Sequence, residues 1–139
     1  MTVHATGTFE VNLVPLQLDQ STDGDLRGRM SINKTFHGDL EATSVGEMLT
    51  AMTATKGSAA YVAIERVSGS LGTRHGSFAL QHTGIMHRGT PDLRVSIVPD
   101  SGSDGLTGIA GTLSITIAEG KHSYELTYTL PDAPASNAP

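Results

Sequence analysis

The sequence predicts an all-β fold, an eight-stranded antiparallel up-and-down barrel. Three observations predict it. Segments alternating apolar and polar residues recur along the 139-residue chain, and a period of two marks a strand with one dry and one wet face. Sixteen glycines, against an average usage of about 7%, supply the tight turns that many short connections need. Most connections are short, which suits neighbour-to-neighbour pairing better than a two-sheet Greek key.

The first strand is expected over Val3–Leu13, with Val3, Ala5, Gly7, Phe9 and Val11 on one face and His4, Thr6, Thr8, Glu10 and Asn12 on the other. A polar loop with Pro15 and Asp19–Asp25 follows. The second strand, Leu26–His37, aligns Met30, Ile32, Lys34 and Phe36. After the Gly38–Asp39 turn, Leu40–Thr55 has two readings. Met48, Leu49 and Met52 fit one side of a short helix, but Val45 and the threonines favour a strand. The fourth strand, Ala59–Leu71, has apolar residues on both faces, Tyr61, Ala63 and Val67 against Val62 and Ile64. Such a strand calls for a second layer or a partner subunit. The fifth, Gly76–Met86, aligns Phe78, Leu80 and His82; the sixth is Leu93–Val98. The seventh, Gly111–Ala118, turns at Glu119–Gly120–Lys121 into the last, His122–Leu130, where His122, Tyr124, Leu126, Tyr128 and Leu130 share a face. Residues 1–131 form one expected domain, and the Pro/Ala/Ser/Asn-rich 132–139 an expected disordered tail.

Composition narrows the function. Fourteen acids oppose nine bases, for a net charge of −5, and the bases are scattered rather than gathered into the stripe a nucleic-acid binder uses. No nucleic acid and no membrane are expected as partners: there is no tryptophan, no apolar run of the ~18 residues a spanning helix takes, and no basic-then-apolar leader. The lack of cysteine suits a reducing cytoplasm, the expected location.

Alternation makes one polar set conspicuous. Lys34, Tyr61, Glu65, His82, His122 and Tyr124 all fall in phase with core residues. Charges inside a barrel are costly unless paired, so Lys34 and Glu65 are expected to face each other. An apolar wall with a few convergent titratable groups describes a pocket for a small apolar or amphipathic ligand. The bland alternative is that each satisfies a hydrogen bond or snorkels outward. A second reading is an isomerase or cyclase, with Glu65 or a histidine as base and Lys34 steadying developing negative charge. A third is a non-catalytic module that oligomerises through the fourth strand's outer face. No metal is expected, because the six histidines form no His-x-His or His-Glu-x-x-His, and Asp19, Asp23 and Asp25 lack the calcium-loop register. No cofactor is expected. Gly102, Gly105, Gly108 and Gly111 lack the Lys-Ser/Thr of a phosphate loop and read as a structural turn.

Several stretches together carry a family likeness: KTFHGDLEATS (34–44), GSAAYVAIER (57–66), RHGSFALQH (74–82), VPDSGSDGLTGIAG (98–111) and KHSYELTY (121–128). In this order, over nearly the whole chain, they resemble the DUF3224 family of small bacterial proteins of unknown function. The glycine framework is also similar to that of allene oxide cyclase and dirigent proteins. The resemblance implies a lipocalin-like barrel with a central cavity, in a homodimer or homotrimer, and no established activity. Ala42, Thr73 and Asp100 stand where the family pattern leads one to expect glycine.

Overall fold

The computed structural model describes residues 1–131; the expected tail, 132–139, lies outside them. Eight strands follow in chain order: β1 (Val3–Leu16), β2 (Arg27–Gly38), β3 (Leu40–Met52), β4 (Ala59–Leu71), β5 (Arg74–His87), β6 (Thr90–Ile97), β7 (Ala110–Ala118) and β8 (Lys121–Thr129). Each pairs antiparallel with its neighbours, and β1 pairs with β8 to close the barrel. The fold is the expected one, and Leu40–Met52 is strand, as the threonines indicate. Several strands run one to three residues beyond the alternation. Pro91 falls inside β6, opposite Met86, where β6 has no ladder partner on its β7 side and a missing N–H is tolerated.

The two ends differ. At one, the long β6–β7 connection folds under the barrel through a single 3-10 turn at Asp104–Leu106. Leu106 and Ile109 plug the floor, packed with Phe36, Leu40, Phe78 and Leu126. Ser101 and Ser103 tie this loop to β5: Oγ of Ser101 accepts the Ala79 N–H (2.9 Å) and Oγ of Ser103 the Ser77 N–H (3.1 Å). Asp100, one of the residues in place of glycine, adopts φ of 63°, a left-handed turn conformation that Asp tolerates. The glycine-spaced stretch is thus a structural plug, as its residue types indicate.

At the opposite end the β1–β2, β3–β4, β5–β6 and β7–β8 turns form a rim. Four methionines in inward phase, Met30, Met48, Met52 and Met86, converge there with Leu13, Leu93 and Ile117. Most of them are open to solvent; Met52 is 64% exposed and Ile117 64%. The wall's outer face is also apolar around β4. Val62 and Ile64 are 51% and 54% exposed, beside Val45, Leu49 and Ile85. No described residue covers them as a second layer.

Candidate functional site

The interior between floor and rim is mainly apolar, and its charged groups gather in one cluster. Lys34, Ser44, Glu65 and His82 come from four successive strands and are buried, Glu65 completely and His82 at 2% exposure. The strand registers explain how they meet. Lys34 stands opposite Ser44, and Glu65 opposite Gly46. Ala63 stands opposite His82, so His82 is the diagonal neighbour of Glu65 on the inner face. β2 and β4 are not adjacent, yet Lys34 reaches Glu65 across β3. The inward position between them is Gly46, where an added Cβ would lie 2.6 Å from the Glu65 Cα and 2.2 Å from the Ile64 carbonyl oxygen.

The carboxylate of Glu65 accepts three hydrogen bonds. Oε1 takes the Ser44 hydroxyl at 2.6 Å; Oε2 takes Lys34 Nζ at 2.9 Å and His82 Nε2. Burial alone would raise the carboxyl's pKa, but the His82 hydrogen bond, the Lys34 charge and the Ser44 hydroxyl outweigh it and hold Glu65 at about 2. An ionised carboxylate only accepts, so His82 carries its proton on Nε2. The other ring nitrogen, Nδ1, has no hydrogen-bond partner among the described residues. Lys34 Nζ also lies 4.9 Å from the centre of the Phe9 ring and 5.8 Å from that of Phe36, a cation–π setting that supports a buried ammonium.

Three of the six residues singled out by alternation, Lys34, Glu65 and His82, therefore meet in one network. Tyr61 lies on the rim side of it, its ring centre 6.4 Å from that of His82 and packed over Gly84. Burial, with Glu65 nearby, raises the Tyr61 pKa above its usual value. His122 faces inward against Phe9, ring centres 5.1 Å apart, and is not among the groups bonded to the Glu65 carboxylate. Tyr124 is engaged elsewhere. Its hydroxyl accepts the Leu40 N–H (2.9 Å) and donates to the His37 carbonyl (3.0 Å), bracing the β2–β3 turn near the floor. Ser44 was missed because the phase of Leu40–Thr55 depended on choosing strand over helix; once strand is chosen, Ser44 aligns with Leu40, Ala42 and Met48.

Among the described residues no group of three or more His, Cys, Asp or Glu is placed to hold a metal ion, and no helix is long and apolar enough to cross a membrane.

Residues 5–128 match a family described as protein of unknown function, DUF3224. A solved relative, a crystal structure of a protein of unknown function from the DUF3224 family of Shewanella oneidensis MR-1, is 49% identical with a TM-score of 0.89. The match covers 96% of this chain and 100% of that one. No curated protein matches. The similarity shown extends to the family and its barrel; likeness to allene oxide cyclase and dirigent proteins is not part of it.

Proposed function

This chain belongs to the DUF3224 family, and from that premise we infer that it binds a small, mostly apolar molecule inside the barrel, with the molecule's polar end at Lys34, Glu65 and His82. One observation carries the reading: a buried ion pair with a histidine attached lies beneath a rim of exposed, inward-phased apolar side chains. Replacing a buried ion pair by well-packed apolar residues is often neutral or stabilising. A pair set amid apolar residues, with an unpartnered ring nitrogen beside it, therefore favours a use beyond stability. The unpartnered Nδ1 of His82 suits a polar group on the ligand, and Tyr61 offers a wall and a second polar contact.

Native mass spectrometry of gently purified protein tests this. Wild type is expected to carry an additional mass of a few hundred daltons or to take up an apolar probe, and Lys34→Met/Glu65→Gln to lose it. Bare wild-type protein that takes up no such probe contradicts the reading.

The cyclase or isomerase reading is favoured by one further feature, the orientation of His82 by Glu65. Glu65, low in pKa and triply hydrogen-bonded, is a weak base; His82 Nδ1 is the better candidate, with Glu65 fixing its tautomer much as a carboxylate does in a catalytic triad. Turnover of a bound metabolite, rather than its retention, would distinguish this from binding.

The exposed apolar strip on β3, β4 and β5 supports association of the barrel with a second copy of itself. Leu49, Val62 and Ile64 lie on one wall beside the ion pair of Arg29 and Glu47 (2.9 Å), an apolar centre with a polar rim as interfaces have.

A further inference from the structure

The joins between strands are unequal. β5–β6 holds register from His87↔Thr90 to Leu80↔Ile97, and β7–β8 from Ala118↔Lys121 to Ala110↔Thr129. β6–β7 is registered at one pair, Ser96↔Thr112. Rimward of it, Thr90–Val95 and Leu113–Ala118 present backbone N–H and C=O groups with no ladder partner across the join. Closure normally removes such edges from a barrel.

A cleft of about 460 Å³ runs along this join. Leu93, Val95, Leu113 and Ile115 line it from the inward phase, and Arg94 and Ser114 from the outward phase. Lined by both phases, the cleft lies in the seam between the two strands. Its inner side adjoins the buried cluster, since Val95 stands directly opposite His82. From the rim, buried Met48 and the Tyr61 ring packed on Gly84 stand over the same cluster.

We propose that the β6–β7 cleft is the ligand's side passage into the barrel, taking the apolar body of a narrow molecule with one polar group that ends at His82. The proposal rests on the binding reading above. The inward lining is wholly aliphatic, which suits such a body, and the unpaired backbone groups let the join part without breaking a ladder. The outer edge carries Pro91, Asp92 and Arg94, a proline and charges that guard an edge against an added peptide strand, so a small molecule is the occupant.

The absence of cysteine makes a locked join simple to build. Arg94 and Ser114 line the cleft from β6 and β7, and Arg94→Cys/Ser114→Cys, oxidised to a disulfide, is the staple. Leu93→Trp, which fills the cleft without a cross-link, is the second variant. The probe is dansyl-labelled undecanoate, followed by stopped-flow fluorescence. Oxidation of the pair is expected to slow probe association by about tenfold or more, with reductant restoring it, and Leu93→Trp to slow it comparably. Hydrogen exchange is expected to show residues 90–95 and 113–118 exchanging at least about tenfold faster than β4. Intact probe binding with an unchanged association rate in both variants overturns the passage and leaves the binding reading standing. Seam amides as protected as those of β4 also overturn it. Failure of the wild type to take up the probe overturns the binding reading and the passage with it.

Discussion

Glu65 holds the interior together, and its surroundings fix what substitutions there do. Lys34→Ala removes one partner of a buried pair, which typically costs about 3–5 kcal/mol. Lys34→Met/Glu65→Gln, which removes both charges and keeps a side-chain amide for Ser44 and His82 to meet, is expected to recover much of that loss in urea denaturation. A double variant no more stable than Lys34→Ala would contradict the pairing. Acid gives a second test. The carboxyl falls from 4.5 to about 2 on folding. A lowered folded pKa contributes stability that is present in full above the unfolded value and is lost as pH falls toward the folded one. Glu65 should therefore supply roughly 3 kcal/mol near neutrality, lost between about pH 4.5 and 2, where Lys34 and His82 are left facing a neutral acid. The stability difference between wild type and Glu65→Gln, measured by denaturation at several pH values, should shrink across that interval; a difference independent of pH would contradict it. Tyr124→Phe belongs with the floor: loss of its bonds to His37 and Leu40 should cost about 1–3 kcal/mol and leave probe affinity unchanged. A fall in affinity would bring Tyr124 back among the binding residues.

At the scale of elements, close approach of β3 to β4 makes the network possible. Gly46 has no room for a Cβ, and the atoms in the way are the Ile64 carbonyl oxygen and Glu65 Cα, backbone that cannot swing aside. Gly46→Ala is expected to destabilise by about 1–3 kcal/mol and to weaken probe binding as well, because the strand that must shift carries Glu65. A variant within about half a kcal/mol of wild type, the usual scatter of surface substitutions, would show that the registers about Glu65 yield easily. This level also separates what alternation reveals from what it hides. Lys34, Glu65 and His82 are legible because each sits in an unbroken period-two run whose other members are core residues. Ser44 is hidden because Met48, Leu49 and Met52 fit a helix as well as a strand until β3 pairs on both sides. The thin β6–β7 join is hidden for another reason. Both segments alternate cleanly, and only the length and path of the plug between them determine how far they meet.

For the whole molecule, closure of the sheet turns separate patterns into places. Met30, Met48, Met52 and Met86 are scattered in sequence and become one rim only when β2, β3 and β5 curve round together. The double apolarity of β4 is readable from residues alone, and the fold leaves its outer side uncovered by any described residue. Association through that face predicts that wild type elutes, with light scattering, above the 14.5 kDa of one chain. Val62→Lys/Ile64→Glu should return it to that mass with the fold unchanged; a monomeric wild type would leave the strip without a second copy.

The most direct test of the central claim is a nitrogen-15 NMR spectrum of the His82 ring, assigned with His82→Gln, before and after saturation with dansyl-labelled undecanoate. An ionised Glu65 predicts a ring that carries its proton on Nε2 and whose Nδ1 resonance moves when the probe binds. An Nε2 that carries no proton, or a spectrum that the bound probe leaves unmoved, would contradict it.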